Sequence, residues 1–319
     1  MDMKWKTIAR FAMALTVSTC VASIAAAKDN LNIAWVHSNA AAQSEQRVKS
    51  GFEQFLSKQN YKWSVSFLDS KGSGEATATN LQDAVSRGVD AIIITMSDLR
   101  ASKAAIDVAL KANIPVFSVD SGYVDGIMVD VTVNNWAIGA DMSPYLLDQL
   151  GGKGNIIFFR MNEHHGTRKR SDVMATVLKE YGDIKVLAEH NIDYTAFYED
   201  TTSSMQDYAA RFGDQINAVW APWDEPAQAA MNVLKSSGLT NVKVVGADGH
   251  PQAIAEVCKP DSMMIATVRQ PFEEMGAQVG EWIEEIVGKG KARQDVIPSN
   301  IVYMDAPLIS KQNCKDYLQ

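Results

Sequence analysis

The sequence predicts an α/β protein that consists of two doubly wound parallel-sheet lobes. Apolar runs of strand length alternate with amphipathic stretches of helix length along nearly the whole chain. The strand runs are almost continuous Val and Ile, which is typical of parallel strands covered by helices on both faces. Eleven such runs exceed the strand number of one ordinary sheet, and 319 residues fit two domains.

The elements follow each other as βα units, with a division after residue 133 that carries no Pro- or Ser-rich linker. The predicted strands are the short apolar runs at 32–36, 63–68, 91–95, 115–119, 128–133, 155–160, 185–189, 218–221, 243–246, 264–268 and 301–304. The predicted helices are the stretches whose apolar residues recur with a helical period, at 43–58, 76–87, 102–112, 135–150, 168–181, 225–236 and 273–287.

The first 27 residues have the composition of a secretory signal peptide. Lys4, Lys6 and Arg10 form a positive segment, residues 11–24 are apolar, and three alanines at 25–27 provide a cleavage site. The mature chain is therefore expected to begin at residue 28 and to reside in the periplasm of a bacterium.

Export changes the interpretation of the three cysteines. Cys20 lies in the signal segment, where a lipidated cysteine is an alternative interpretation. Cys258 and Cys314 remain in a compartment that permits disulfides. Either they form one bridge near the C-terminus or they are two separate buried thiols.

The composition excludes several classes of protein. The chain has 38 acidic and 30 basic residues and a formal charge of −8, which disfavours nucleic acid or an anionic membrane as a partner. The catalytic motifs G-x-S-x-G and H-E-x-x-H and the phosphate loop are missing, so neither an enzyme nor a cofactor is predicted. His164 and His165 are adjacent and do not share a face, so no metal site is predicted.

Polar residues follow several of the predicted strands. Ligands of open parallel sheets bind beyond the carboxyl ends of the strands, so these residues are expected to line one cleft. The candidates are His37, Asn39, Asp120, Arg168, Arg170, Trp223, Asp248 and Gln270. Carboxylates and guanidinium groups hydrogen-bond to neighbouring hydroxyls, and an aromatic face covers the apolar side of a ring or carbon chain. The set predicts a polar, hydroxyl-rich small molecule as the ligand.

Structural interpretations of the same residues stay open. An Asp after a strand is often a helix N-cap, which applies to Asp120 and Asp248. Arg168 and Arg170 belong either to a solvated helix start or to a binding site for an anion, and cations in a first turn oppose the helix dipole. Trp35 and Trp220 lie within strand runs and are expected in the core.

Four segments in this order carry a resemblance to a known family. They are GVDAIII at 88–94, IPVFSVD at 114–120, VVGADG at 244–249 and ATVRQP at 266–271, with Gly276 after them. Behind a signal peptide, they resemble the periplasmic sugar-binding proteins of ABC transporters, of the ribose/galactose-binding type. The resemblance covers essentially the whole mature chain.

The resemblance implies the type I periplasmic binding protein fold, in which three hinge segments join lobes that are discontinuous in sequence. One lobe would comprise residues 28–133 plus 270–300, and the other 134–269 plus 301–319. The resemblance further implies that the ligand is held by Asp120, Arg170 (with Arg168 as its near alternative), Asp248 and Gln270.

Three departures from the family pattern argue against ribose itself. Trp223 stands where many members have Asn, Ala247 replaces a common aromatic residue, and the loop at His37 and Asn39 lacks paired phenylalanines. Trp223 is expected to supply the missing aromatic surface. These departures imply a different monosaccharide or a linear polyol.

The resulting hypothesis is a monomeric solute-binding protein that captures a sugar or polyol by hinge closure and delivers it to an ABC permease. One alternative is a periplasmic sensor that presents its ligand state to a chemoreceptor or kinase. A less favoured alternative is a glycoside hydrolase that uses Asp120 and Asp248. The signal peptide and the absence of a DNA-binding headpiece argue against a repressor.

Overall fold

The computed structural model describes residues 30–318, so the expected signal segment lies outside the described residues. The first of two six-stranded sheets is entirely parallel, in the strand order 11-5-4-3-1-2. Its strands are β1 (Asn32–His37), β2 (Ser64–Asp69), β3 (Ala91–Thr95), β4 (Val116–Val119), β5 (Val129–Val133) and β11 (Ile301–Met304).

The second sheet repeats this arrangement, in the order 12-10-9-8-6-7, and its edge strand β12 is antiparallel to β10. Its strands are β6 (Lys153–Arg160), β7 (Asp183–Asn191), β8 (Ala218–Trp220), β9 (Lys243–Val245), β10 (Met264–Val268) and β12 (Leu308–Ser310). The predicted two-sheet α/β architecture is thus confirmed, and β12 is a strand that the prediction missed.

Helices flank both sheets. Those of the first lobe are α1 (Gln43–Gln59), α2 (Gly74–Ser86), α3 (Lys103–Lys111), α9 (Phe272–Ile283) and α10 (Arg293–Val296). Those of the second are α4 (Asn135–Gln149), α5 (His165–Val177), α6 (Phe197–Phe212), α7 (Asp224–Ser236) and α8 (Pro251–Val257). Within the described residues, no helix has the length and apolarity that a membrane crossing requires.

The chain passes between the lobes three times. The crossings lie at residue 134, at 269–271 and at 305–307, between strands of opposite sheets. The expected placement of residues 301–319 in the second lobe is wrong for Ile301–Met304, because this strand pairs in parallel with β5 and extends the first sheet. The third crossing therefore comes after β11 rather than before it.

Two glycines allow α1 and α9 to pack in close contact. A Cβ atom on Gly51 would lie 1.9 Å from the carbonyl oxygen of Glu273, and one on Gly276 would lie 1.9 Å from that of Val48. Any side chain at either position would push the helices apart. This contact attaches the C-terminal part of the chain to the first lobe.

The predicted core tryptophans are fully buried, one in each lobe. Trp35 donates its indole N–H to Thr95 Oγ1 at 3.2 Å, and Trp220 donates to Ser143 Oγ at 3.1 Å. Each indole is therefore buried without leaving its polar atom unpaired.

The two remaining cysteines form a disulfide. Cys258 at the end of α8 is bonded to Cys314 in the C-terminal 3₁₀ turn, across 56 positions of sequence. The interpretation as two separate thiols is therefore wrong, and the bridge attaches the C-terminus to the second lobe.

Candidate functional site

The carboxyl ends of both sheets face a cavity between the lobes. The cavity is narrow, with a volume of about 30 Å³, room for about one or two water molecules, so the lobes meet closely here. Polar side chains from both lobes and the hinge line it, namely Asp120, His164, Thr167, Arg170, Asp248 and Gln270. Met96, Met161, Tyr194, Trp223 and Phe272 provide the apolar walls.

Asp120 is the anionic group of the first lobe. It follows β4 with a φ of 44°, and its Oδ1 accepts hydrogen bonds from Thr132 Oγ1 at 2.6 Å and Asn135 Nδ2 at 3.0 Å. Burial alone would raise its pKa, but the nearby His164, His165 and Arg170 lower the pKa of Asp120 to about 2. The side chain is therefore an ionised acceptor at neutral pH, and its Oδ2 receives no hydrogen bond from a described residue.

A second buried carboxylate holds the loop that carries Asp120. Asp130 on β5 accepts hydrogen bonds from Ser118 Oγ at 2.7 Å and from the backbone N–H groups of Ser121 and Gly122, both at 3.1 Å. Burial raises the pKa of Asp130 to about 7. These bonds fix the turn after β4 and thereby the left-handed backbone of Asp120.

Arg170, Asp248 and Gln270 form a connected group on the opposite wall. Arg170 is 2% exposed, donates from Nη1 to the Pro222 carbonyl at 2.8 Å, and places the same atom 3.5 Å from Asp248 Oδ1. Gln270 Nε2 donates to Asp248 Oδ1 at 2.6 Å. Gln270 Oε1 is buried and has no hydrogen-bond partner among residues 30–318, so this group offers an acceptor that a ligand hydroxyl would satisfy.

Asn135 connects the two charged groups across the hinge. It opens α4 directly after the first crossing, donates to Asp120 and accepts from Arg170 Nε at 2.7 Å. The sequence reasoning did not select Asn135, although its place beside the predicted lobe boundary is a signal.

Trp223 lines the cavity and also packs in the core of the second lobe. Its ring makes edge contacts with Tyr194 and Phe197, and its indole N–H donates to Glu225 Oε2 at 3.2 Å. It is 5% exposed. Trp223 can therefore pack in the core and also present part of its ring to a ligand.

Two of the candidates from the first strand and its loop do not line the cavity. His37 places its Nδ1 2.8 Å from Glu45 Oε2, and its ring contacts those of Trp35 and Phe67, which also contact each other. Asn39 donates to the Tyr194 carbonyl at 3.1 Å, across the seam between the lobes. Neither residue lines this cavity, and their role as ligand contacts stays a prediction, since a strand's end fixes the sheet edge but not the depth of a side chain in the cleft.

Arg168 also lies outside the cavity. Its Nη2 is 3.3 Å from Asp98 Oδ2 of the first lobe, so its charge is paired at the mouth of the cleft. Arg170 is the cavity's one arginine among the described lining residues and faces Asp120 and Asp248, so of the two alternatives for these arginines a binding site for an anion is the less favoured. The cavity has no excess positive charge.

The prediction missed His164, Thr167, Tyr194, the two methionines and Phe272, which carry no motif. His164 caps α5 with Nδ1 and approaches the Asp120 carbonyl with Nε2 at 2.6 Å. A carbonyl only accepts, so this imidazole donates from Nε2 to the opposite lobe. His164 is therefore a direct contact across the closed cleft.

Two clusters of side chains have the composition of metal ligands, namely Asp120, His164 and His165, and Glu225, Asp248 and His250. In each imidazole Nδ1 faces a group that only donates: the Thr167 amide, the Lys169 ammonium and the Arg47 guanidinium, respectively. The ring proton then resides on Nε2, the atom that faces the carboxylates. A metal-bound histidine instead donates its other N–H outward, so the direction of these Nδ1 contacts does not fit metal ligation.

Comparison with known proteins yields one family and several relatives. A family described as the periplasmic binding protein domain matches residues 33–292. The xylitol-binding protein of Mycolicibacterium smegmatis is 28% identical over 238 residues, 74% of this chain and 65% of that protein, so this chain matches slightly less than two thirds of it. The ribose import binding protein of Escherichia coli is 28% identical over 313 residues, 97% of this chain and 100% of that protein.

Solved structures share the fold. An ABC transporter solute-binding protein of Agrobacterium vitis with bound allitol superposes with a TM-score of 0.80 at 22% identity, and the match covers 91% of this chain and 98% of that one. The match to the family model shows that the chain belongs to the periplasmic binding protein domain family, as the sequence segments suggested.

Proposed function

Because the chain belongs to the periplasmic binding protein domain family, we propose that it is the solute-binding protein of an ABC importer and captures a neutral monosaccharide or polyol. The observation that carries the proposal is the cavity itself. Asp120 enters it from one lobe, Arg170 and Asp248 enter from the other, and Gln270 comes from the hinge. A ligand that bonds to all of them stabilises the closed arrangement of the lobes.

The chemistry of the walls selects the ligand class. Asp120 Oδ2 and Gln270 Oε1 are acceptors for hydroxyl protons, and the Arg170 guanidinium donates to hydroxyl oxygens. Trp223 and Phe272 offer faces for the C–H side of a ring or chain. The charge of Arg170 is already balanced by the carboxylates of Asp120 and Asp248. An anionic ligand would therefore find no unpaired positive charge in the cavity. The relatives named for xylitol and ribose, and the structure with bound allitol, agree with this class.

The mechanism is binding and release without a chemical step. In the periplasm the ligand meets the open cleft, both lobes contact it, and hinge movement at the three crossings encloses it. The closed protein then docks on a membrane permease, which opens the lobes and accepts the ligand.

The test is isothermal titration calorimetry on the chain from residue 28, with xylitol, allitol, ribose, allose and myo-inositol, and with gluconate as the anionic control. At least one neutral compound is expected to bind, to reduce the radius of gyration in solution scattering and to be recovered unchanged. Tighter binding of gluconate than of every neutral compound would contradict the proposed ligand class. Conversion of a bound glycoside into products would favour the hydrolase.

A further inference from the structure

A second cavity, called here the outer chamber, lies at the mouth of the same cleft. It has a volume of about 340 Å³. Both lobes form it, with Ser38, Ser73, Thr77 and Ser97 from the first lobe and Asn162 and Arg168 from the second. The outer chamber therefore exists only when the lobes are closed.

The outer chamber adjoins the ligand cavity. Met96, His164 and Tyr194 line both spaces, so their side chains form the wall between them. His164 is held by hydrogen bonds at both ring nitrogens. Met96 has an unbranched side chain that adapts to irregular space. A substituent on an enclosed ligand would thus pass beside Met96.

The lining of the outer chamber is suited to hydrogen bonds with hydroxyl groups of a ligand. Five of its residues from the first lobe, the four named above and Ser102, carry hydroxyls, which both donate and accept hydrogen bonds. Its cation Arg168 is paired with Asp98 at 3.3 Å, and Glu163 adds a further negative charge. Such a lining suits a neutral polar group and disfavours a phosphate or carboxylate.

We infer that the outer chamber receives a neutral, hydroxyl-bearing substituent of the bound ligand, such as a second sugar ring. The protein would then take two-unit glycosides in addition to a free monosaccharide or polyol. This inference rests on the proposed function, because the first unit occupies the cavity of Asp120 and Arg170.

Calorimetry with matched pairs tests the inference: glucitol with maltitol, myo-inositol with galactinol, and xylose with xylobiose. At least one two-unit compound is expected to bind within about tenfold of its one-unit partner or more tightly. If one-unit compounds bind and no two-unit compound does, the inference fails while the proposed function stands. If nothing in the enlarged panel binds, both fail.

A second experiment fills the outer chamber with a larger side chain. Ala101 lines the outer chamber with an exposed side chain, so Ala101→Trp adds bulk there without disturbing the core. The control is Ala112→Trp, an exposed position at the end of α3. Ala101→Trp is expected to raise the Kd of the two-unit ligand at least about tenfold and that of its partner less than about twofold. An equal effect on both ligands, or the same effect from Ala112→Trp, would overturn the assignment.

Discussion

Arg47 connects the first lobe to the binding loop of the second, and its replacement is expected to weaken ligand binding by weakening closure. In its own lobe the guanidinium forms a two-pronged ion pair with Glu273, with Nε–Oε1 at 2.7 Å and Nη2–Oε2 at 2.8 Å. It also donates to the carbonyl oxygen of Asp248 at 2.8 Å and to that of Gln270 at 3.0 Å. The bond to Asp248 crosses between the lobes and is lost when they separate.

The size of the effect follows from the bonds that are present in the closed protein and absent from the open one. The pair with Glu273 lies within one lobe and is present in both states, so it does not bias the equilibrium. A hydrogen bond from a charged donor contributes about 1.5–3 kcal/mol. Loss of the Asp248 bond would therefore shift the open–closed equilibrium roughly 10- to 100-fold, and the Kd rises by that factor where the free protein is mainly open.

Calorimetry on Arg47→Ala and Arg47→Lys measures this shift, with solution scattering as the readout of closure. The alanine variant is expected to show the full rise in Kd. The Kd of the lysine variant is expected to rise less, because an ammonium still reaches one carbonyl. Arg87→Ala, which breaks an exposed pair with Asp83 on α2, is the matched control. A Kd for Arg47→Ala within about threefold of the unsubstituted protein would refute the role in closure.

Four further expectations concern binding and stability. Arg170→Ala should raise the Kd roughly 10- to 100-fold, because ligand oxygens lose a charged donor, and an unchanged Kd in calorimetry would remove Arg170 from the site. Trp223→Ala should raise the Kd and also lower the melting temperature, whereas a lower melting temperature alone would assign the ring to the core. Asp130 has a pKa raised to about 7 by burial, so the folded state binds the extra proton and this carboxyl makes stability fall as pH rises from about 4 to 7. The buried Asp224, whose pKa is also raised to about 7, acts in the same pH range, so Asp130→Asn should reduce the decline in urea titrations, and an unchanged decline would contradict the expectation. Replacing Cys258 and Cys314 by serine should cost about 4 kcal/mol of unfolding free energy for a loop of this length, and an unchanged urea midpoint would contradict it.

The fold was predictable from sequence because its signal is local. The Val/Ile runs of the parallel strands are buried on both faces and therefore visible without any knowledge of their partners. The missed β12 has three residues, too few for a pattern to emerge. The third crossing was misplaced because the sequence of Ile301–Met304 fits a strand in either lobe. Its pairing with β5 is a contact between residues far apart in sequence, which a local pattern does not reveal.

The lining of the cavity was predictable where a side chain follows closely after a strand's end, as with Asp120, one residue after β4, and Asp248, three residues after β9. His37 and Arg168 satisfy the same rule but do not line the cavity, since Glu45 holds the first and Asp98 the second. Tyr194 follows no pattern at all, because it reaches the cavity from a 3₁₀ turn after β7. Such positions depend on how the lobes meet, which sequence periodicity does not encode.

The contacts between lobes differ in their distance from the hinge, and that difference determines which of them move. Asn135 follows the first crossing by one residue and bonds to both Asp120 and Arg170. A rotation about the crossings displaces atoms in proportion to their distance from them, so this three-residue chain is expected to persist in the open protein. The bonds from His164 to the Asp120 carbonyl and from Asn39 to the Tyr194 carbonyl join separate loops of opposite lobes. Opening therefore keeps the two main charged groups oriented, and the remaining bonds form when ligand brings the loops together.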